Sequence, residues 1–195
     1  MNLSGELLDI SEMLMALNYL LAEKLRGLAG LHQYLDSSLI FTAETGSYVV
    51  PLVLVALFVL NGRSRRDSIF IFTATILGIG LAHFVQQLYV HPRPFEMYST
   101  LLGDATGDSF PSQHASTLFP FSLAVLYRGR RKLELVLLLW AVVNSFSRVV
   151  VGYHFPLDIL AGFLIGVAAV YALSVYEEYV ERFSEFVEMV EKRIF

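Results

Sequence analysis

Ser147-Arg148-Val149-Val150-Val151-Gly152-Tyr153-His154-Phe155-Pro156-Leu157-Asp158 places an arginine, a histidine and a carboxylate at fixed offsets inside an otherwise apolar region. Hydrocarbon does not accept such a set without cause. A charged side chain near the bilayer centre costs roughly 2.5–3.5 kcal/mol even on a lenient insertion scale, so these residues face a water-filled site or a partner. His154 and Asp158 share one face if a helix begins here, and Pro156 suits the first turn of such a helix. The carboxylate is then placed to hold one imidazole N–H, which leaves the other ring nitrogen as a lone-pair base or nucleophile. Arg148, upstream, presents a planar fork suited to an anion.

The rest of the chain is as apolar as the region around this stretch. With 195 residues, 55% of them hydrophobic and 16% charged, and a mean hydropathy of +0.58, it reads as an integral membrane protein. The net charge of −4 and the absence of a basic stripe exclude a nucleic-acid partner. Without cysteine there is no disulfide, thiolate ligand or cysteine nucleophile. Met1–Glu6 lacks the basic start of a cleaved signal peptide.

Three regions follow from hydropathy. Residues 1–34 hold apolar positions at helical spacing (Leu7, Leu8, Met13, Leu14, Leu17, Leu20, Leu21), but Glu12 and Lys24 leave only a short uncharged run, so an amphipathic helix lying in the interface is expected. Residues 35–176 form the transmembrane bundle. Its first span starts near Leu35, with Tyr48–Leu60 solidly apolar and Pro51 as the expected kink; Ser68–Val90, Ser112–Tyr127, Leu135–Val151 and Phe155–Tyr176 follow. In residues 177–195, Val180, Phe183, Val187, Val190 and Ile194 make an apolar stripe against a glutamate-rich face, expected to pack on the bundle or on a second copy in a homodimer. The expected fold is therefore all-α, an integral membrane helical bundle of five to six transmembrane helices with an amphipathic helix at each end.

Orientation follows from the loops. Three Lys or Arg residues at 63–66 and four at 128–132 make seven of the fourteen in the chain, which assigns those loops and the C-terminal helix to the cytoplasm. Loop 91–111, the start of the third span and the turn at Gly152–Phe155 then lie on the opposite face. Polar clusters around Arg93, His114 and His154 thus meet at one depth. Two arginines, two histidines, one aspartate and a helix-start serine suit an anion with tetrahedral oxygens, phosphate above all. Arg93 and Arg148 can clamp phosphoryl oxygens, and Ser112 with the free N–H groups at the start of the third span adds a dipole-assisted cradle. Only one carboxylate is placed, so no metal site and no cofactor are expected.

Arg93-Pro94, Pro111-Ser112-Gln113-His114 and Ser147-Arg148-x5-His154-x3-Asp158 together resemble the three-part signature of the type 2 phosphatidic acid phosphatases, membrane lipid phosphatases related in fold to vanadium haloperoxidases. Within that family, Pro92-Arg93-Pro94-Phe95 and Phe110-Pro111-Ser112-x-His114 on a short chain resemble the bacitracin-resistance type undecaprenyl-diphosphatases most. The resemblance implies that His154 attacks phosphorus and becomes phosphohistidine, that Asp158 orients it, and that His114 is first the acid toward the leaving group and then the base for water. Arg93, Ser112 and Arg148 correspond to phosphate-binding positions. Gln86 stands where the signature begins with lysine, and keeps only a neutral donor for phosphate; Gln113 replaces a glycine common in the second motif.

The activity so implied is hydrolysis of a polyprenyl, undecaprenyl-type diphosphate to the monophosphate and inorganic phosphate at the extracytoplasmic face of the plasma membrane, recycling a glycan carrier lipid. Two alternatives stand beside it: a phosphatase for glycerolipids such as phosphatidylglycerophosphate or phosphatidic acid, and a non-catalytic lipid-binding or transport bundle. His32, His83 and His91 read as structural, and Lys24 and Arg26 as solvated. Glu44 either pairs with a site arginine or reaches the interface.

Overall fold

The computed structural model describes residues 3–60, 65–102, 107–129 and 131–194. Residues 61–64 and 130, which belong to the basic loops on which the orientation rests, and 103–106 of the loop 91–111 lie outside the described residues. Every regular element among the described residues is helical: α1 (Leu3–Arg26), α2 (Gln33–Thr45), a 3-10 turn (Gly46–Tyr48), α3 (Val49–Leu60), α4 (Arg65–Leu88), α5 (Pro94–Met97), α6 (Ala115–Tyr127), α7 (Arg131–Val150), α8 (Pro156–Val175) and α9 (Glu177–Ile194). Four segments are long and apolar enough to cross a membrane, namely Gln33–Phe58, Arg65–Leu88, Leu133–Val150 and Pro156–Val175; α6 is apolar but shorter, and α1 is not in the set.

The helix α6 is the axis of the bundle, packed by α4, α7 and α8. Its sequence permits this because Ala115, Ser116, Ser122 and Ala124 are small, and all four are fully buried. The neighbours supply glycine where they cross it. A Cβ on Gly162 of α8 would stand 2.5 Å from the Ala115 Cβ and 3.0 Å from the Ser116 nitrogen, and one on Gly166 would stand 2.8 Å from the Pro120 nitrogen. Close approach of this kind is how helices associate in lipid, where apolar burial alone gives no preference for protein over hydrocarbon. Gly162→Leu is therefore expected to force α8 off α6, at about 1–3 kcal/mol of overpacking. A lowered thermal midpoint in detergent, with activity lost in parallel because α8 carries Asp158, is the result to look for.

The first span breaks at Gly46–Tyr48, one turn before Pro51, which has no N–H to offer the Ser47 carbonyl. The helix α7 supplies donors to that break. Trp140 Nε1 donates to the Gly46 carbonyl at 2.8 Å, Asn144 Nδ2 to the Thr42 carbonyl at 2.5 Å, and an Arg148 terminal nitrogen to the Ala43 carbonyl at 2.7 Å. This accounts for an asparagine in an apolar span: its side chain lies where a Cβ on residue 46 would otherwise be.

At the far end of the bundle, Arg128 lies 2.6 Å from Glu177 and 3.6 Å from Asp67, over the Phe70 ring, and Arg66 pairs with Glu181 at 2.9 Å. These contacts hold α9 on α4 and α6. Only part of the expected stripe faces the bundle. Val180 and Ser184 are buried, whereas Phe183 is 57% exposed, so the helix is turned to give its salt bridges to the bundle and its phenylalanine outward. At the opposite end α1 is tied to the start of α8, Asn18 Oδ1 accepting the Leu157 N–H at 2.9 Å and Tyr19 meeting Phe155 edge-on, while Met13, Leu14 and Leu17 face outward.

Candidate active site

Three chain ends meet at the α1 side: the last turn of α7, the first turn of α8 and the entry to α6. After Val150 the chain reverses in five residues. Gly152 takes φ +96, a conformation L side chains avoid, and a Cβ there would also run into Thr100. The N–H groups of Tyr153 and His154 both return to the Arg148 carbonyl, at 3.0 and 3.3 Å. Phe155 is the N-cap of α8, Pro156 its first residue, and Asp158 reaches back so that one carboxylate oxygen accepts the Phe155 N–H at 2.7 Å. A carboxylate in the first turn also meets the positive end of the helix dipole, so this buried charge is supported before any partner is counted.

His154 is 2% exposed. The sequence leads us to expect Asp158 to hold its ring, and the structure adds a nearer acceptor. The closest partner of Nδ1 is the backbone carbonyl of Ser109 at 2.9 Å; Asp158 Oδ2 stands back at 3.5 Å. The reason is that the same oxygen already accepts the Phe155 N–H and the Ser109 hydroxyl. Either acceptor fixes the same tautomer, with the proton on Nδ1 and the lone pair on Nε2. Ser109 was missed in the sequence, and its one signal is that it immediately precedes the second motif.

Arg148 faces that lone pair. Its terminal nitrogens donate to the Ala43 carbonyl and, at 3.3 Å, to Nε2 of His154; its ring-facing side covers Tyr153, and its buried Nε–H has no hydrogen-bond acceptor among the described residues. Arg93 is also buried, but its guanidinium is engaged with backbone, donating to the carbonyls of Gly107 at 2.9 Å, Asp108 at 3.2 Å and Tyr153 at 3.0 Å. It clamps loop 107–109 onto the α7–α8 turn. Glu44, in contrast, is exposed and forms no salt bridge with either arginine.

The helix α6 starts at Ala115, three residues later than the expected span. Ser112 is fully buried; its N–H donates to the Asp158 carbonyl at 3.1 Å, so this amide of the expected cradle is already engaged, and its Oγ accepts the Ala115 N–H at 3.4 Å. Gln86 donates to the Pro111 carbonyl at 3.3 Å and accepts from Gln113 Nε2 at 2.8 Å. The two positions that depart from the family signature therefore bond to each other. Among the histidines read as structural, His32 caps α2, His83 lies 3.4 Å from Gln113, and His91 packs on Tyr89 and Phe155 while its carbonyl accepts the Ser109 N–H.

His114 sits at the N-terminus of α6 and lines a groove of about 320 Å³ together with Val50, Leu54, Phe72, Ile76, Ile79 and Thr117 among others. A second apolar groove shares Pro51, Leu54 and Phe72 with it and continues to Phe58 and Ser68. Burial, followed by the charges of Arg148, His154 and Arg93, pushes the His114 imidazole down to about 3. Burial likewise lowers His154 to about 4, with Asp158 opposing and the arginines adding to the fall. Both rings are thus neutral at neutral pH: one has its lone pair against the Arg148 cation, the other waits for a negative group to offset the arginines. Among the described residues no three His, Cys, Asp or Glu side chains gather as a metal site.

This pairing of a membrane bundle with a histidine–arginine–carboxylate pocket is that of a membrane phosphatase. Residues 67–182, more than half of the chain, match the PAP2 superfamily, and the protein belongs to it. It is a hydrolase of phosphate ester bonds. The undecaprenyl-diphosphatase BcrC of Bacillus subtilis (strain 168) is 30% identical over 154 residues, which are 77% of this chain and 79% of the relative. The crystal structure of Aquifex aeolicus LpxE superposes with a TM-score of 0.68 at 26% identity, over 80% of this chain and 93% of that one. The PAP2 type phosphatidylglycerolphosphate phosphatase from Bacillus subtilis shares the fold, with a TM-score of 0.66 at 19% identity over 88% of this chain and 89% of that one.

Proposed function

We propose that the protein hydrolyses a polyprenyl diphosphate, undecaprenyl-type, to the monophosphate and inorganic phosphate at the extracytoplasmic face of the plasma membrane, through a phosphohistidine and without a metal ion. The observation that carries the reading is the apposition of Nε2 of His154 to Arg148, whose Nε–H has no acceptor of its own. A phosphoryl group entering there takes both donors of one face of the guanidinium and uncovers the lone pair behind it. The apolar groove leading away from His114 supports a lipid on the leaving side, and the similarity to BcrC supports a polyprenyl diphosphate over other phosphate esters.

The steps use the chain's own groups. The terminal phosphate binds Arg148, the Ser112 hydroxyl and the electrostatic field of Arg93, which spread the charge of a loose transition state. Nε2 attacks phosphorus in line; the bond from phosphorus to the bridging oxygen breaks, and His114 gives that oxygen its proton. The substrate's own negative charge offsets the arginines and makes His114 basic enough to carry this proton. Polyprenyl monophosphate then leaves along the groove. Water attacks the phosphohistidine, His114 takes a water proton, the P–N bond breaks, and His154 returns with its lone pair on Nε2. In this reading residues 1–34 lie at the outer interface, 35–176 form five spans, and 177–195 lie on the cytoplasmic side.

Phosphate release in detergent with excess EDTA, with undecaprenyl diphosphate, phosphatidic acid and phosphatidylglycerophosphate offered in parallel, tests it. Preference for the polyprenyl substrate is expected. Preference for a glycerolipid overturns the substrate assignment and keeps the chemistry, whereas dependence on added divalent metal overturns the mechanism.

A further inference from the structure

We propose that Ser109 is a positioning residue that holds the Asp158 carboxylate one step back from His154 and so keeps the histidine weakly basic enough to release phosphate as well as to accept it. The inference rests on the reading of His154 as nucleophile. All three polar groups of Ser109, itself fully buried, are committed: the N–H donates to the His91 carbonyl at 2.8 Å, the carbonyl accepts Nδ1–H of His154 at 2.9 Å, and the hydroxyl donates to Asp158 Oδ2. One residue thereby touches both members of the His154–Asp158 pair. Its carbonyl takes the ring proton, and its hydroxyl occupies the carboxylate oxygen that stands 3.5 Å from Nδ1.

A hydrogen bond to a carboxylate raises the basicity of an imidazole more than one to a neutral carbonyl, because the negative charge stabilises the cationic ring. Basicity has opposite effects on the two half-reactions. A more basic Nε2 attacks phosphorus more readily but is a poorer leaving group when water attacks the phosphohistidine. With Ser109 present, Asp158 stabilises the charge that develops on the ring without capturing its proton. Without the hydroxyl, Oδ2 keeps only the Phe155 N–H and is free to close on Nδ1.

The test uses the full-length protein in detergent with undecaprenyl diphosphate radiolabelled in its terminal phosphate. It compares wild type with Ser109→Ala and Ser109→Thr, and repeats Ser109→Ala in an Asp158→Asn background. For Ser109→Ala the acid limb of kcat/KM is expected to move up by about one pH unit, kcat to fall about tenfold, and the steady-state fraction of alkali-stable phosphoenzyme to rise. Threonine, which retains the hydroxyl, restores the wild-type limb. In the Asp158→Asn background the same alanine change has little further effect, since it acts through that carboxylate. A Ser109→Ala protein whose acid limb and phosphoenzyme level match wild type overturns the proposal, even if less of it folds. Absence of phosphoenzyme in wild type under the same quench overturns the nucleophile reading itself and the inference with it.

Discussion

Replacement of His154 by glutamine is expected to lower phosphate release by roughly 10⁴-fold or more, the scale on which loss of a covalent nucleophile falls, and to abolish the alkali-stable phosphoenzyme altogether. Glutamine approximates the ring's length and keeps one donor toward the Ser109 carbonyl, so the protein should keep its folding stability within about 1 kcal/mol. The same residue sets the acid side of the pH profile. Protonation of Nε2 removes the lone pair, and burial with two arginines nearby lowers that event to about 4. Because kcat/KM reports the free enzyme, its acid limb should lie well below the ordinary imidazole range, once the ionisation of the substrate phosphate near pH 6 is allowed for. An acid limb at the ordinary value of 6.5 would show that the ring is solvated in the working enzyme. An active glutamine variant would transfer the nucleophile elsewhere.

The second large effect is expected at His114. Its change to asparagine removes the proton donor for the bridging oxygen and the base for water, together worth about 10²–10⁴ in kcat with the polyprenyl substrate. The two roles separate if the leaving group is varied. A nitrophenyl phosphate departs without a proton, so the first turnover of His114→Asn should stay within about tenfold of wild type, while hydrolysis of the phosphohistidine remains slow. The signature is a burst of nitrophenol matching the enzyme concentration, followed by a slow steady state and accumulated phosphoenzyme. Equal losses in both phases and on both substrates would place His114 in binding, not in proton transfer.

The parts of this site that were legible in the sequence are those set by helix geometry and hydropathy. His154 and Asp158 lie four residues apart beside a proline that starts a helix, and polar groups in apolar surroundings announce themselves by their cost. Hydropathy and loop charge together predict that Arg93, His114 and His154 share an end, and the contacts from Arg93 to the Tyr153 carbonyl and from Ser112 to the Asp158 carbonyl bring their segments together. The parts not legible depend on how loop 91–111 folds back. No periodicity relates Ser109 to His154, 45 residues on, and the link exists because Arg93 clamps the carbonyls of Gly107 and Asp108. Nor does any pattern pair Gln86 with Gln113, 27 residues away. For α9 hydropathy groups Val180 with Phe183, but the anchoring of Glu177 and Glu181 to Arg128 and Arg66 brings Val180 and Ser184 inward and leaves Phe183 exposed.

The donors that α7 supplies to the broken first span also bear on the order in which the protein is assembled during synthesis. Asn144 and Arg148 find their acceptors on Thr42 and Ala43, more than 100 residues earlier in the chain. Neither segment has its full set of partners by itself: Arg148 gains the Ala43 carbonyl, and Thr42 the Asn144 amide, only when α2 and α7 lie side by side. The first span is therefore completed only when the fourth packs beside it, and the pocket around Arg148 takes shape only then.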